Sequence, residues 1–188
     1  MRQFTDWARK RGWWQTECVS FWRSAQQEEY AGLEQGYWAI LNASPRLLTV
    51  GILFSLDQKE SWLKAAPVLK ERQKSINRQG INYNAEGIRR MSFVLWFTRP
   101  KIEKVEESLR KILALVREVG VGPNPVCISC GAKDHLDCYK VTHTIMLPYL
   151  LCPACAEKLK AAISSGLYRY PRKSALVKGE LLSEKLYL

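Results

Sequence analysis

Four cysteines stand in two pairs, Cys127-Ile128-Ser129-Cys130-Gly131 and Cys152-Pro153-Ala154-Cys155, so the spacing is C-x2-C-x21-C-x2-C. Two intervening residues let both sulfurs of a pair turn toward one point. Four thiolates at about 2.3 Å from a common centre make the closed tetrahedral site typical of structural zinc. Gly131, directly after a pair, supplies the left-handed or close-backbone geometry that a knuckle turn needs. The expected ligands are therefore Cys127, Cys130, Cys152 and Cys155, and the expected cofactor is structural Zn2+. The same thiolates suit an iron–sulfur cluster. A dithiol redox role is a further option, although neither pair follows the strand of a visible βαβ unit.

Between the pairs, residues 138–144 and 145–151 read as two short strands, and residues 155–163 are good helix formers. A knuckle, a β-hairpin and a second C-P-x-C at the mouth of a helix resemble a four-cysteine treble-clef or zinc-ribbon module over about residues 127–163. That is a likeness of fold shared by proteins of many functions; it implies structural zinc at the four cysteines and no particular substrate. Cys127, Cys130 and His135 begin like a retroviral-type knuckle, but the fourth ligand of that pattern would fall at Lys140. His135 or Cys138 as a substitute ligand stays open. The competing reading makes Cys138 a buried strand residue and His135 and His143 surface or packing residues, with Cys18 a core thiol.

The sequence leans away from an enzyme. Four thiolates close a zinc site, whereas catalytic zinc keeps an open position and commonly takes His or carboxylate ligands. No His-x-Glu accompanies the cysteines as in the zinc deaminases, and phosphate-cradling or nucleophile-elbow motifs are absent. With only two histidines, both in the cysteine-bearing segment, most acid–base schemes lack their usual base.

Charge points to a polyanion. The chain has 188 residues, with Lys+Arg 29 against Asp+Glu 18 and a formal charge of +11. Basic and aromatic residues interleave at Arg9, Lys10, Arg11, Trp13 and Trp14, where cations could neutralise phosphates and an exposed indole could stack on an unpaired base. The bland alternative is that tryptophans fill cores under long cationic stems; it is preferred for Trp38, Trp62 and Trp96. A second run, Lys64, Lys70, Arg72, Lys74 and Arg78 with Arg89 and Arg90, reads first as a solvated helix face. Lys133, Lys140, Lys158, Lys160, Arg169, Arg172 and Lys173 make a third candidate surface. Two functions are carried forward. The leading one is a non-enzymatic, zinc-stabilised basic subunit that binds RNA or DNA in a nucleoprotein complex; the other is a protein-interaction adaptor or chaperone-like subunit braced by zinc.

The elements that must position these residues suggest an α+β fold. A small antiparallel sheet with helices packed on one face should precede the small zinc module of hairpin plus helix. The expected division is an α+β domain at 1–120, a Gly/Pro joint at 121–125, the zinc module at 126–165 and a basic, tyrosine-containing tail at 166–188. Residues 4–11 and 16–33 read as helices, although 13–22 could be extended. Residues 37–43 and 47–56 make a hairpin around Ser44-Pro45-Arg46. Residues 58–78 read as a helix capped by Asp57 and disturbed at Pro67, then a loop at 80–87. Residues 88–98 read as a strand with a buried centre at 93–97. Residues 100–119 give the clearest helix, with an apolar stripe of Ile102, Val105, Leu109, Ile112, Leu113 and Val116. No apolar run is long enough for a transmembrane helix and no signal peptide opens the chain. A soluble, intracellular protein of a reducing compartment is expected.

Overall fold

A computed structural model describes residues 2–16, 28–44, 47–84, 86–94, 101–142, 147–167 and 174–182. It contains mixed helices and antiparallel sheets, an α+β fold, together with a cluster of four cysteines. The chain divides into two compact units, Met1–Gly32 with Val126–Leu188, and Leu33–Pro125. No helix among the described residues is long and apolar enough to cross a membrane.

The Leu33–Pro125 unit is built from consecutive elements. Strands β3 (Tyr37–Ala43) and β4 (Leu47–Leu53) form the expected hairpin, with Ala43 opposite Leu48 and Trp38 opposite Leu53. The turn is held by Ser44, whose N–H donates to the Leu47 carbonyl at 2.9 Å and whose hydroxyl accepts from the Leu47 N–H at 3.0 Å. Helix α2 (Leu56–Glu71) starts earlier than expected, because the cap is Ser55 and not Asp57. The Ser55 backbone N–H donates to the Gln58 side chain at 2.9 Å, a capping-box arrangement. Pro67 lies inside α2, and the chain breaks at Arg72 before a short helix, α3 (Gln73–Arg78).

Two further expectations in this unit are overturned. The loop at 80–87 contains a strand, β5 (Ile81–Asn84), paired with β6 (Gly87–Phe93). The Asn84 side chain accepts the N–H groups of Glu86 and Gly87, so the asparagine that argued for a loop makes the tight return. The strand at 88–98 does not bury Phe93, which ends β6 and is 87% exposed. By the two-residue period it shares a face with Met91, also exposed, while Ile88 on the other face is buried. Residues 95–98 lie outside the described residues. The sheet runs β3-β4-β6-β5. Helix α4 (Ile102–Glu118) lays Val105, Leu109, Ile112, Leu113 and Val116 over β4 and β6 as its periodicity predicts.

The other unit draws on both ends of the chain. Helix α1 (Arg2–Lys10) buries Phe4, Trp7 and Ala8 and precedes β1 (Trp14–Thr16). Residues 28–33 are not helical as expected; they belong to β2 (Glu28–Glu34), which pairs with β1 through Trp14 opposite Ala31. The 3.6-residue stripe over 16–33 is weak, and pairing with β1 decides the conformation. Cys18 and Trp22 lie outside the described residues.

Within the segment 166–188, the described residues 174–182 contain two short strands. Strand β9 (Leu176–Lys178) pairs with β7 (Asp137–Val141), and β10 (Glu180–Leu181) pairs with β1. Three or two residues carry too little pattern to be read as strands; the open edges of β7 and β1 select them. Strand β8 (Tyr149–Leu151) completes the second sheet, β8-β7-β9, and helix α5 (Pro153–Ser164) follows. That the first 32 residues group with the cysteine-bearing segment has no local signal in the sequence.

Candidate metal centre

The four cysteines come from two local structures that each aim sulfur at one point. In the first, the Gly131 N–H donates to the Cys127 carbonyl at 2.9 Å and the Cys127 N–H to the Ala132 carbonyl at 2.8 Å. Gly131 has φ +76°, the left-handed conformation that its position after Cys130 predicts. In the second, Cys152 is the N-cap of α5 with Pro153 in the first turn, and Cys155 lies in that same turn. The positive end of α5 therefore lies beside both cysteines.

The sulfurs of Cys127, Cys130, Cys152 and Cys155 all lie within 4.8 Å of one another. Those of Cys130 and Cys152 are 3.7 Å apart. Bonds of about 2.3 Å in a tetrahedron put ligand sulfurs about 3.8 Å apart, so the donor set fits one metal ion. Sulfurs this close leave room for a single ion and not for a multi-iron cluster.

Cys127, Cys152 and Cys155 are buried with Leu151 and Ala156, against Ile128, Leu136, Tyr149 and Leu159; Cys130 is exposed. Burial pushes the Cys127 thiol up, but hydrogen bonds from the backbone of Cys152, Ser129 and Cys130 outweigh it and bring the group down to about 7. At Cys155 the Ser129 side chain pulls down, while burial and the neighbouring sulfurs of Cys130, Cys152 and Cys127 carry the thiol up to about 12. An acidic Cys127 beside a Cys155 that resists negative charge is the electrostatics of a site that takes a cation.

Neither of the open substitutes joins this group. His135 is exposed, with φ +51°. Cys138 is fully buried in β7 opposite Leu150. Burial first, and then the nearby Glu29 carboxylate, hold its thiol far above the ordinary range. His143 lies outside the described residues.

Cationic candidates among the described residues stand at the end of α1 and on α5. Arg9, Lys10 and Arg11 are exposed at the end of α1, where Arg9 pairs with Asp6 at 3.0 Å and Arg11 lies 4.3 Å from the Trp7 ring centre. Trp13 is 0% exposed, so it cannot stack on a base and is withdrawn as a binding residue. Its ring lies directly on the backbone of Gly32, where a Cβ would come within 2.3 Å of it, and meets Trp7 edge-on at 5.0 Å. Trp14 is half-buried. Lys158 and Lys160 stand on α5, Lys158 exposed and Lys160 at 3.8 Å from Glu157. Arg169, Arg172 and Lys173 lie outside the described residues. Trp38 and Trp62 are core residues, while Trp96 lies outside the described residues.

Lys140 is not part of a cationic surface. It is 4% exposed and donates to the Glu29 carboxylate, which is equally buried and also accepts from the Thr16 hydroxyl at 2.7 Å. This pair connects β7 to β2, and no spacing rule could find it because 111 residues separate its members.

Neither protein-family models, curated proteins nor solved structures show a match to this chain.

Proposed function

We propose that the chain is a zinc-stabilised, non-enzymatic basic protein that binds RNA or DNA as a subunit of a nucleoprotein complex. The observation that carries this reading is the charge: a formal +11, with Lys10, Arg11 and Lys158 exposed on the unit that holds the cysteine cluster. Such an excess draws the protein to a phosphate backbone and gives binding that falls with salt as counterions are released. Zinc is favoured because four thiolates at tetrahedral separation suit its size and softness. The closed shell leaves the ion no position for water or substrate, so its role here is to hold the fold.

The test is a titration of the zinc-loaded chain with single- and double-stranded RNA and DNA at several salt concentrations. Binding that weakens steeply with salt is expected. Replacing Arg9, Lys10 and Arg11 together by Gln should lower the salt slope by about 1 for each phosphate that is no longer neutralised. Arg9 contributes least, because Asp6 already neutralises it. Weak binding even at low salt, with a protein partner bound almost independently of salt, would replace this reading by the adaptor.

A further inference from the structure

On the Leu33–Pro125 unit, α2, α3 and β5 enclose an open groove of about 510 Å³. That is the size range of sites for small organic ligands. Its apolar wall is Leu63 and Pro67, and Leu63 is exposed despite its size. Carboxamides from two elements also line it, Gln73 and Asn77 on α3 and Asn82 on β5, each offering a donor and an acceptor. The Tyr83 ring lines the same space and is braced by buried Trp62, edge-on at 5.6 Å. Lys70 supplies the charge.

The cations sort themselves here. Lys64 is paired with Glu60, Arg72 with Glu118 and Arg90 with Glu107, all within the unit. Lys70, Lys74 and Arg78 are exposed and form no ion pair among the described residues. They recur every four residues along α2 and α3, and Lys70 lines the groove itself. On the strand side, a hollow of about 80 Å³ shares Asn82 and Tyr83 with the groove and ends at Arg89.

We propose that this groove holds an unpaired nucleotide of single-stranded RNA or DNA. The base lies between Leu63, Pro67 and Tyr83, its edge is read by Gln73, Asn77 and Asn82, and the adjoining phosphates meet Lys70 and Lys74. Carboxamides match the mixed donor and acceptor edge of a base, a planar aromatic matches its face, and the lysines match its backbone. A peptide would also bond to carboxamides, but only a polyanion uses the uncompensated lysines. The proposal rests on the nucleic-acid reading and deepens it: a paired base cannot enter the groove, so single strands must be preferred.

The experiment titrates the full zinc-loaded chain and the Lys70→Gln/Asn77→Ala variant with three fluorescein-labelled probes: a short single-stranded RNA, its duplex, and polyglutamate. Both replaced residues are exposed, and an unchanged melting temperature verifies the fold. The expected result is a loss of about tenfold or more in single-strand affinity, with duplex affinity within about threefold of wild type. Cross-linking of a 4-thiouridine strand should map to the peptide spanning residues 81–89. If wild type binds single strands and the variant binds them equally well, the groove is overturned while the broader reading stands. If wild type binds neither nucleic acid, both fall. Equal losses for strand and duplex, or polyglutamate binding as tight as RNA, reduce the site to charge alone and overturn it.

Discussion

The two units of this protein solve the same problem with different means. Residues 33–125 form a sheet from elements that follow one another in the chain, and α4 covers β4 and β6 with a continuous apolar stripe. Burial of Ile40, Val50, Ile52, Ile88 and Ile112 is the ordinary hydrophobic route to stability. The other unit joins residues 1–32 to residues 126–188, and its elements are short, down to two residues at β10. Joining the two chain ends also closes a loop of nearly a hundred residues, at a cost in entropy. That unit buries Phe4, Trp7, Trp13 and Tyr30 and adds two polar devices, the four-cysteine cluster and the buried Lys140–Glu29 pair. Both units bury apolar area; only the second adds a cysteine cluster and a buried ion pair to it.

Chelation is expected to have the largest effect, because the four cysteines belong to only one of the two units. In small modules, structural zinc contributes about 10–16 kcal/mol of apparent binding energy that is largely folding energy. Chelation, or Cys127→Ser or Cys152→Ser, should therefore expose residues 126–182 and, because they share a unit, residues 2–16 and 28–32. A fragment near residues 33–125 should remain resistant to protease. Hydrogen exchange read by mass spectrometry resolves both units in one experiment. Retained protection at β7, β8 and α5 after chelation would show that the cluster does not hold the unit together.

A smaller break comes from the ion pair. Glu29→Gln leaves the Lys140 ammonium buried without its counter-charge, which should cost about 3–5 kcal/mol. Glu29→Leu with Lys140→Met should recover most of that loss, because two well-packed apolar groups replace two desolvated charges. A double variant no better than the single would mean that the pair fixes geometry that packing cannot. The matching change in the other unit, Ile112→Ala, should cost about 2–5 kcal/mol by leaving a cavity at a fully buried site. Its effect on unfolding, followed by tryptophan fluorescence with and without chelator, should be the same in both conditions.

The same contrast decides what could be read from sequence. Helix α4 is legible almost to its ends because six apolar residues repeat along one surface; the expected span 100–119 becomes Ile102–Glu118. The gathering of the four cysteines is legible because each pair is a local turn problem and Gly131 marks one of the turns. Strands β2, β9 and β10 are not, since their conformation is set by partners elsewhere in the chain. Lys140 looks like one more surface lysine until Glu29 is brought to it. The adjacent pair Trp13-Trp14 shows that one indole must be less buried than the other. Which one is hidden depends on Gly32, nineteen residues away, whose missing side chain makes the space.

That space gives the finest comparison between the units, through two glycine-to-alanine changes. At Gly32 a Cβ would lie 2.3 Å from two atoms of the Trp13 ring and 2.7 Å from a third. Trp13 is fully buried against Trp7, so the ring has nowhere to go without moving β1 or α1. Overpacking of this kind typically costs about 1–3 kcal/mol. At Gly122 nothing lies within 4 Å of the new methyl, and the backbone is outside the left-handed region. The carbonyl that accepts from Gln58 is untouched by the change. Alanine there restricts only the unfolded chain and should stabilise by about 0.4–1 kcal/mol. Urea unfolding of the two variants side by side reads both signs. A neutral Gly32→Ala would mean that β2 and Trp13 shift apart easily, and that the unit made from the two chain ends is held by its metal and ion pair with little help from packing.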